Sequence, residues 1–288
     1  MIAYNPKEWY KLILSFHKSD TFRMLLPAIL GFAAFSAGLV YLGLEVWCWD
    51  FEGTIAIHSL LGFVISMLLV FRTNTAYDRW WEGRKLWGKF VNDSRNFSMK
   101  LSAFVGKEET VRASALLTNY FFACKDHLRK AMSTKGWVEI PGSPLDQYTN
   151  ASHIPNALLL DLVKEVTKLN KRGSLSDIQF LMLNEELRSF ADSLGACERI
   201  SSTPIPYSYS MFIKKIIFFY SITIPFGILT EYHYWTVLIT CFIFYAFASL
   251  ELLAEEIEDP FGKEANDLPT DEIAFRIKSN IKEIFGHE

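Results

Sequence analysis

Side chains able to do chemistry are thinly spread along this chain. Cys48, Cys124, Cys197 and Cys241 form no CxxC pair, the spacing used by redox dithiols and zinc sites, so they read as small buried hydrophobes. His58 and His233 are too isolated to supply the polar cluster that catalysis needs. No catalytic residue and no cofactor is therefore expected. The densest charge cluster is Glu251, Glu255, Glu256, Glu258 and Asp259. It reads either as oxygen ligands for a metal or as a solvated helix end. A net charge of -3, with no zinc-finger spacing and no phosphate-cradling glycine loop, excludes nucleic acid as an expected partner.

The elements that must position these residues belong to two solvents. Half of the 288 residues are hydrophobic and 15% are aromatic, a balance that implies part bilayer and part water. Met24 to Leu44 carries no charge, and roughly 20 helical residues cross a bilayer's hydrocarbon core. A second uncharged run, Gly53 to Phe71, leads into a helical sequence without a breaker to about Lys89. Ile216 to Thr230 and Tyr234 to Leu250 are two more apolar runs, separated by Glu231, Tyr232 and His233. They read as a transmembrane hairpin whose first arm is kinked by Pro225 with Gly227. The first twenty residues hold Lys7, Lys11 and Lys18 and lack a long apolar core, so no cleaved signal peptide is expected.

Lys and Arg near span ends are retained on the cytoplasmic side, which puts Arg23, Arg72, Arg79, Arg84, Lys85, Lys214 and Lys215 inside. The two short loops carry Glu45, Asp50, Glu52 and Glu231, ringed by Trp47, Trp49, Tyr232, Tyr234 and Trp235, and face outward. The middle of the chain repeats apolar residues at helical spacing: Leu86, Phe90, Phe97; Leu116, Leu117, Tyr120, Phe121; Phe180, Leu183, Leu187, Phe190, Leu194. That is the pattern of an amphipathic bundle. Met132 to Pro155 holds Gly136, Pro141, Gly142 and Pro144, the breakers of a mobile connection. Ile273, Ile277 and Ile281 mark one more amphipathic helix, in the position of a latch.

The expected fold class is an all-α integral membrane protein with four transmembrane helices and a cytosolic helical bundle. Residues 1–23 form a cytosolic N-terminal segment, 24–82 the first two spans, 83–210 the bundle, 211–252 the last two spans and 253–288 a cytosolic C-terminal segment. The chain is expected in the inner (plasma) membrane, multi-pass, with both termini cytoplasmic.

Three segments carry more than their composition. FRTNTAYDRWWEGRKLWG at Phe71 to Gly88, CERISSTPIPYSY at Cys197 to Tyr209 and AEEIEDPFGKEANDLP at Ala254 to Pro269 resemble the prokaryotic branch of the bestrophin family. The resemblance covers nearly the whole chain. It implies a homopentameric channel with one central pore, in which the second helix of each subunit lines a narrow hydrophobic neck above a wide cytoplasmic vestibule. The neck positions that follow the Leu-Gly pair of that helix at intervals of four are here Phe63, Met67 and Phe71. A second constriction, at the cytosolic exit, falls on Ile205. In animal bestrophins an acidic run after the NPFG-like turn holds calcium. Here Lys263 and Ala265 interrupt that run, and Asp259, Glu264 and Asp267 remain as doubtful oxygen ligands.

Helical geometry agrees that Phe63, Met67 and Phe71 share a face. The same stripe carries Ser59 outside the neck and Asn74 and Asp78 inside it as possible pore-facing polar residues, whereas Arg72, Arg79 and His58 point away. An apolar stripe is also what ordinary helix packing or lipid contact looks like. Asp78, Arg79 and Glu82 beside Trp80 and Trp81 suggest a charge network clamping helices between subunits, and Glu198 and Arg199 suggest ion pairs within the bundle. The expected function is passive conduction of small monovalent ions. Chloride is favoured by resemblance, and sodium or potassium is the alternative if Asp78 faces the pore. Partners are then identical subunits, the lipid bilayer and these ions. A noncatalytic membrane scaffold or receptor without a pore is the competing class.

Overall fold

In a computed structural model of the chain, the described residues are 20–49 and 55–286. The expectations at Lys7, Lys11, Lys18, Asp50, Glu52 and Gly53 lie outside them. Among the described residues the long elements are all helical: α1 (Asp20–Tyr41), running into a π turn at Leu42–Val46; α2 (Ile55–Phe104); α3 (Lys107–Leu128); the short α4 (Asp146–Thr149); α5 (Ile154–Lys171); α6 (Asp177–Ser202); α7 (Tyr207–Tyr232); α8 (Trp235–Glu258); and α9 (Thr270–Phe285). Among the described residues, four stretches are long and apolar enough to cross a membrane: Thr21–Val46, Ile55–Phe104, Tyr207–Tyr232 and Trp235–Glu258. They coincide with the four expected spans. The second extends further than its apolar run, because no Pro interrupts Arg72 to Phe104 and the polar half keeps an apolar stripe to bury.

The chain divides into two compact units. One comprises the described residues up to Arg79 together with Pro204–Glu258. Its core joins Phe32 of α1, Ile65 and Leu69 of α2, Ile213, Ile217, Tyr220 and Ile224 of α7, and Phe244 of α8. Phe32 packs against Phe244 at 4.3 Å and against Phe218 edge-on at 6.0 Å between ring centroids. Two glycines let backbones approach. A Cβ at Gly43 would lie 2.5 Å from Leu229, and one at Gly62 would lie 2.7 Å from the Tyr220 hydroxyl. That hydroxyl donates to the His58 carbonyl at 3.2 Å. The His58 ring lies 6.0 Å from the Tyr220 ring, so it faces α7, as its helical position predicts. Pro225 lies inside α7, which continues past it to Tyr232.

The other unit, Trp80–Thr203 with the described residues from Asp259 onward, has a larger core. Trp87, Phe90, Phe97, Leu116, Leu117, Tyr120, Phe121, Leu183, Leu187, Phe190 and Leu194 are buried in it, and Leu86 and Phe180 pack at its edge. The Phe90, Tyr120, Phe121 and Phe190 rings meet at centroid distances from 5.2 to 6.4 Å. Tyr120 also donates to the Phe190 carbonyl at 3.0 Å, so its one polar group is satisfied. α9 lays Ile273, Ile277, Ile281 and Phe285 into the core, and its first turn is fastened by Asp271, which pairs with Lys125 at 2.9 Å and Arg129 at 2.6 Å.

The connection after α3, read from its glycines and prolines as mobile, is pinned at several points. Asn119 donates to the Val138 carbonyl and accepts from the Val138 N–H, both at 2.8 Å. Arg112 reaches the Pro141 carbonyl and, at 2.9 Å, the Ser143 hydroxyl. Tyr148 donates to Asp161 at 2.7 Å. Gly136 adopts φ 94° directly against the Phe122 ring, a place with no room for a side chain.

Candidate functional site

α2 presents two opposite faces within the first unit. Ile65, Leu69, Arg72 and Ala76 are buried, and they recur at the spacing of a single stripe. At 3.6 residues per turn the centre of that stripe lies roughly 180° from Met67. On the far side Phe63, Met67 and Phe71 are 63%, 44% and 57% exposed, and Ser59, Asn74 and Asp78 are exposed with them. The six residues assigned to one stripe therefore all turn away from the chain's own core. Three hydroxyl groups in this part of α2 are satisfied within the helix: Ser66 donates to the Gly62 carbonyl at 2.8 Å, Thr73 to Leu69 at 2.8 Å and Thr75 to Phe71 at 2.9 Å.

Behind the stripe sits a buried charge cluster. Arg72, 1% exposed, places Nη2 at 2.7 Å from Glu258 Oε2 and Nε at 3.7 Å from Glu251 Oε2. Glu258 Oε1 accepts the Ile205 N–H at 2.5 Å, and the Glu258 carbonyl accepts from Arg79 Nε at 3.1 Å. One carboxylate thus binds both the helix carrying Phe71 and the backbone of Ile205, whose side chain is half-buried. Tyr209 adds a long contact from its hydroxyl to the Leu68 carbonyl at 3.5 Å. Both sequence readings of the acidic helix end need amending. Glu258 is hydrogen-bonded to Arg72 and Glu251 is buried 3.7 Å from it, while Glu255 pairs with Lys214 at 2.7 Å at the surface.

In the second unit the turn at Asp259–Gly262 docks on α2. A Cβ at Gly83 would lie 3.2 Å from Phe261 and Pro260, so Gly83 leaves room for that turn. Trp80 Nε1 donates to the Asn266 carbonyl at 3.0 Å, and Arg129 Nε donates to the Phe261 and Gly262 carbonyls at 3.2 and 3.1 Å. Of the doubtful metal residues, Asp259 and Glu264 are exposed, while Asp267 is buried and its Oδ2 accepts the Glu264 N–H at 2.6 Å. A calcium cage needs six to eight oxygen ligands. This turn, with Lys263 and Ala265 in it and its buried carboxylate facing its own backbone, does not fit one.

Sequence reasoning missed two groupings. Arg72 with Glu258 joins residues 186 apart, and no local spacing announces it. Among the described residues, the one set of three ligating side chains gathered within 4.8 Å is His127, His153 and Glu198. Arg199, next to it, pairs with Glu82 at 2.8 Å. Two of the four cysteines are the buried hydrophobes the sequence suggests; Cys48 is exposed and Cys241 half-buried. Cys124 and Cys197 are fully buried; burial pushes both thiols up, Cys197 to about 12 with help from the Glu198 and Glu82 charges.

Comparison with known proteins agrees with this architecture. The model of the Bacterial/Fungal Bestrophin protein family matches residues 1–283. The voltage-dependent anion channel-forming protein YneE of Escherichia coli O157:H7 is 34% identical over 286 residues, covering 98% of this chain and 93% of that protein. The voltage-dependent anion channel-forming protein RSc3414 of Ralstonia nicotianae is 32% identical, covering 99% and 95%. The crystal structure of a bacterial bestrophin homologue from Klebsiella pneumoniae superposes with a TM-score of 0.84 at 29% identity, covering 92% of this chain and 99% of that one. With a family match over nearly its whole length and relatives alike from end to end, the chain belongs to the Bacterial/Fungal Bestrophin family.

Proposed function

We propose that the chain is one subunit of a homopentameric anion channel of the inner membrane, its pore lined by α2. The observation that carries this reading is the stripe of Phe63, Met67 and Phe71, apolar and exposed on the face opposite the chain's own core. A ring of such side chains excludes water and gates by dewetting. The relatives named as anion channel-forming proteins support the ion class, and the positive ring edges of Phe63 and Phe71 suit a passing anion. Ile205 forms the second constriction, at the cytosolic exit. The loops at Glu45 and Glu231 face outward, both termini and the bundle of 83–210 lie in the cytoplasm, and the divisions at 1–23, 24–82, 211–252 and 253–288 follow from that topology.

The exposed Asp78 on the same stripe favours a second reading, a monovalent cation channel of the same architecture, since a ring of carboxylates concentrates cations. Reversal potentials under a salt gradient in proteoliposomes separate the two.

The test of the channel is ion flux through purified protein in liposomes, wild type against a variant with Phe63→Ala, Met67→Ala and Phe71→Ala together. Native mass measurement of the assembly accompanies it. Faster flux from an intact five-subunit variant supports the neck. A monomer, or no flux from either protein, defeats the channel in favour of a scaffold.

A further inference from the structure

We propose that His127, His153 and Glu198 form a binding site for a divalent transition-metal ion of the zinc type. The three residues come from three elements: the last turn of α3, the N-cap of α5 and the C-terminal half of α6. His127 Nε2 lies 2.9 Å and His153 Nε2 lies 2.8 Å from the same carboxylate oxygen, Glu198 Oε1, and the two rings are 4.4 Å apart. Two imidazoles aiming the same nitrogen at one oxygen leave a single point from which all three ligands can be reached.

The distances fit. Zinc holds nitrogen and oxygen ligands at about 2.0–2.2 Å in a tetrahedron, so neighbouring ligand atoms sit about 3.3 Å apart. Each nitrogen has to move about 0.5 Å from Oε1 to admit the ion. The side chains are 34%, 30% and 35% exposed, which leaves the fourth position to water and gives the ion a path in. A cavity of 240 Å³ lined by Asp126, His127, Lys130, Ser133, Trp137 and Ser152 opens beside His127. Two imidazoles and one carboxylate select zinc, cobalt or nickel over calcium or magnesium, which require oxygen cages.

Binding requires one change of hydrogen bonding. His153 Nδ1 accepts the Asn156 N–H at 3.2 Å, so in the metal-free form its proton sits on Nε2, facing Glu198. To ligate, the ring carries the proton on Nδ1 instead and gives up that cap. Asn156 is exposed, and water takes over its N–H. The bound ion ties the end of α3 to the start of α5 and to α6, closing the long connection between His127 and His153.

The experiment is titration of the full-length detergent-purified assembly, its affinity tag removed, with cobalt(II) and then zinc(II). The cobalt ligand-field spectrum is followed, with calcium as competitor. The expected result is one cobalt per chain with the intense visible bands of a tetrahedral site, displaced by zinc and untouched by calcium. His127→Ala, Glu198→Gln and His153→Asn each weaken binding more than about tenfold. The last keeps an N-capping side chain, so the fold survives while the ligand is lost. Stoichiometric binding unchanged in His127→Ala and His153→Asn overturns the site, and so does the absence of binding to an intact wild-type assembly.

Discussion

Arg72 Nη2 and Glu258 Oε2 lie 2.7 Å apart, with side-chain exposures of 1% and 11%, in the unit that carries Phe63, Met67 and Phe71. Removing one partner of such a pair leaves a buried charge uncompensated, at a cost of about 3–5 kcal/mol. Arg72→Ala and Glu258→Ala are therefore each expected to lower the thermal stability of the purified protein strongly. The double variant should lose less than the sum of the two. Melting curves of the four proteins in one detergent check this, and strict additivity would mean that the pair carries no coupling. Because Glu258 also holds the Ile205 N–H, Glu258→Gln should alter flux if Ile205 forms the exit constriction proposed above.

Gly62 owes its place to Tyr220. Gly62→Ala puts a methyl group 2.7 Å from the phenol oxygen, and overpacking of this kind costs about 1–3 kcal/mol. Tyr220→Phe removes that oxygen, so it should restore much of the loss when combined with Gly62→Ala, although alone it forfeits the bond to His58. Thermal unfolding of both single variants and the double variant measures the coupling.

Asp271 supplies a pH dependence. Burial pushes its carboxyl up, but hydrogen bonds from Arg129 and Lys125, with their charges, outweigh burial and hold it below its ordinary 3.8. As pH falls, the unfolded chain takes up this proton first. The contribution is complete above the unfolded value and disappears as pH drops through the folded one. Asp271 is half-exposed, so solvent screening limits the contribution to about 1 kcal/mol or less. Asp271→Asn should lower stability at neutral pH and narrow its gap from wild type below pH about 4. A gap that stays constant on acidification would contradict this.

Thiol labelling distinguishes three of the four cysteines. Cys48 is exposed, while Cys124 and Cys197 are buried with raised thiols, and the thiolate is the reactive form. At neutral pH an alkylating reagent should modify Cys48 and leave Cys124 and Cys197 protected until denaturant is added, as peptide mass spectrometry will read. Rapid native labelling of Cys197 would show that the bundle opens far more readily than its core packing allows.

The spans and the bundle helices were legible because their signals are local. Uncharged runs mark Thr21–Val46 and Tyr207–Tyr232, and Ile273, Ile277 and Ile281 announce α9 four residues at a time. The stripe from Ser59 to Asp78 was legible as one face of one helix, although its direction relative to the core became visible only with α7 in place. Arg72 was legible as a boundary charge but its pairing was not, because nothing near it in sequence reveals the carboxylates of α8. His127, His153 and Glu198 stayed invisible for the same reason, lying 26 and 45 positions apart with no motif between them. The breakers from Met132 to Pro155 were misleading. Glycine and proline report where a helix cannot continue, and say nothing of which side chains elsewhere will hold the backbone.

Asn119, with both ends of its amide bound to Val138, makes the spacing of that connection part of the fold. A strand partner would do the same by fixing register. Gly136 is locked against Phe122, and Arg112 holds Pro141 and Ser143, so there is little slack in which extra residues can be stored. An epitope or fluorescent-protein insertion placed between Gly136 and Ser143, where a sequence-based choice would put it, will be tolerated no better than one placed inside a helix.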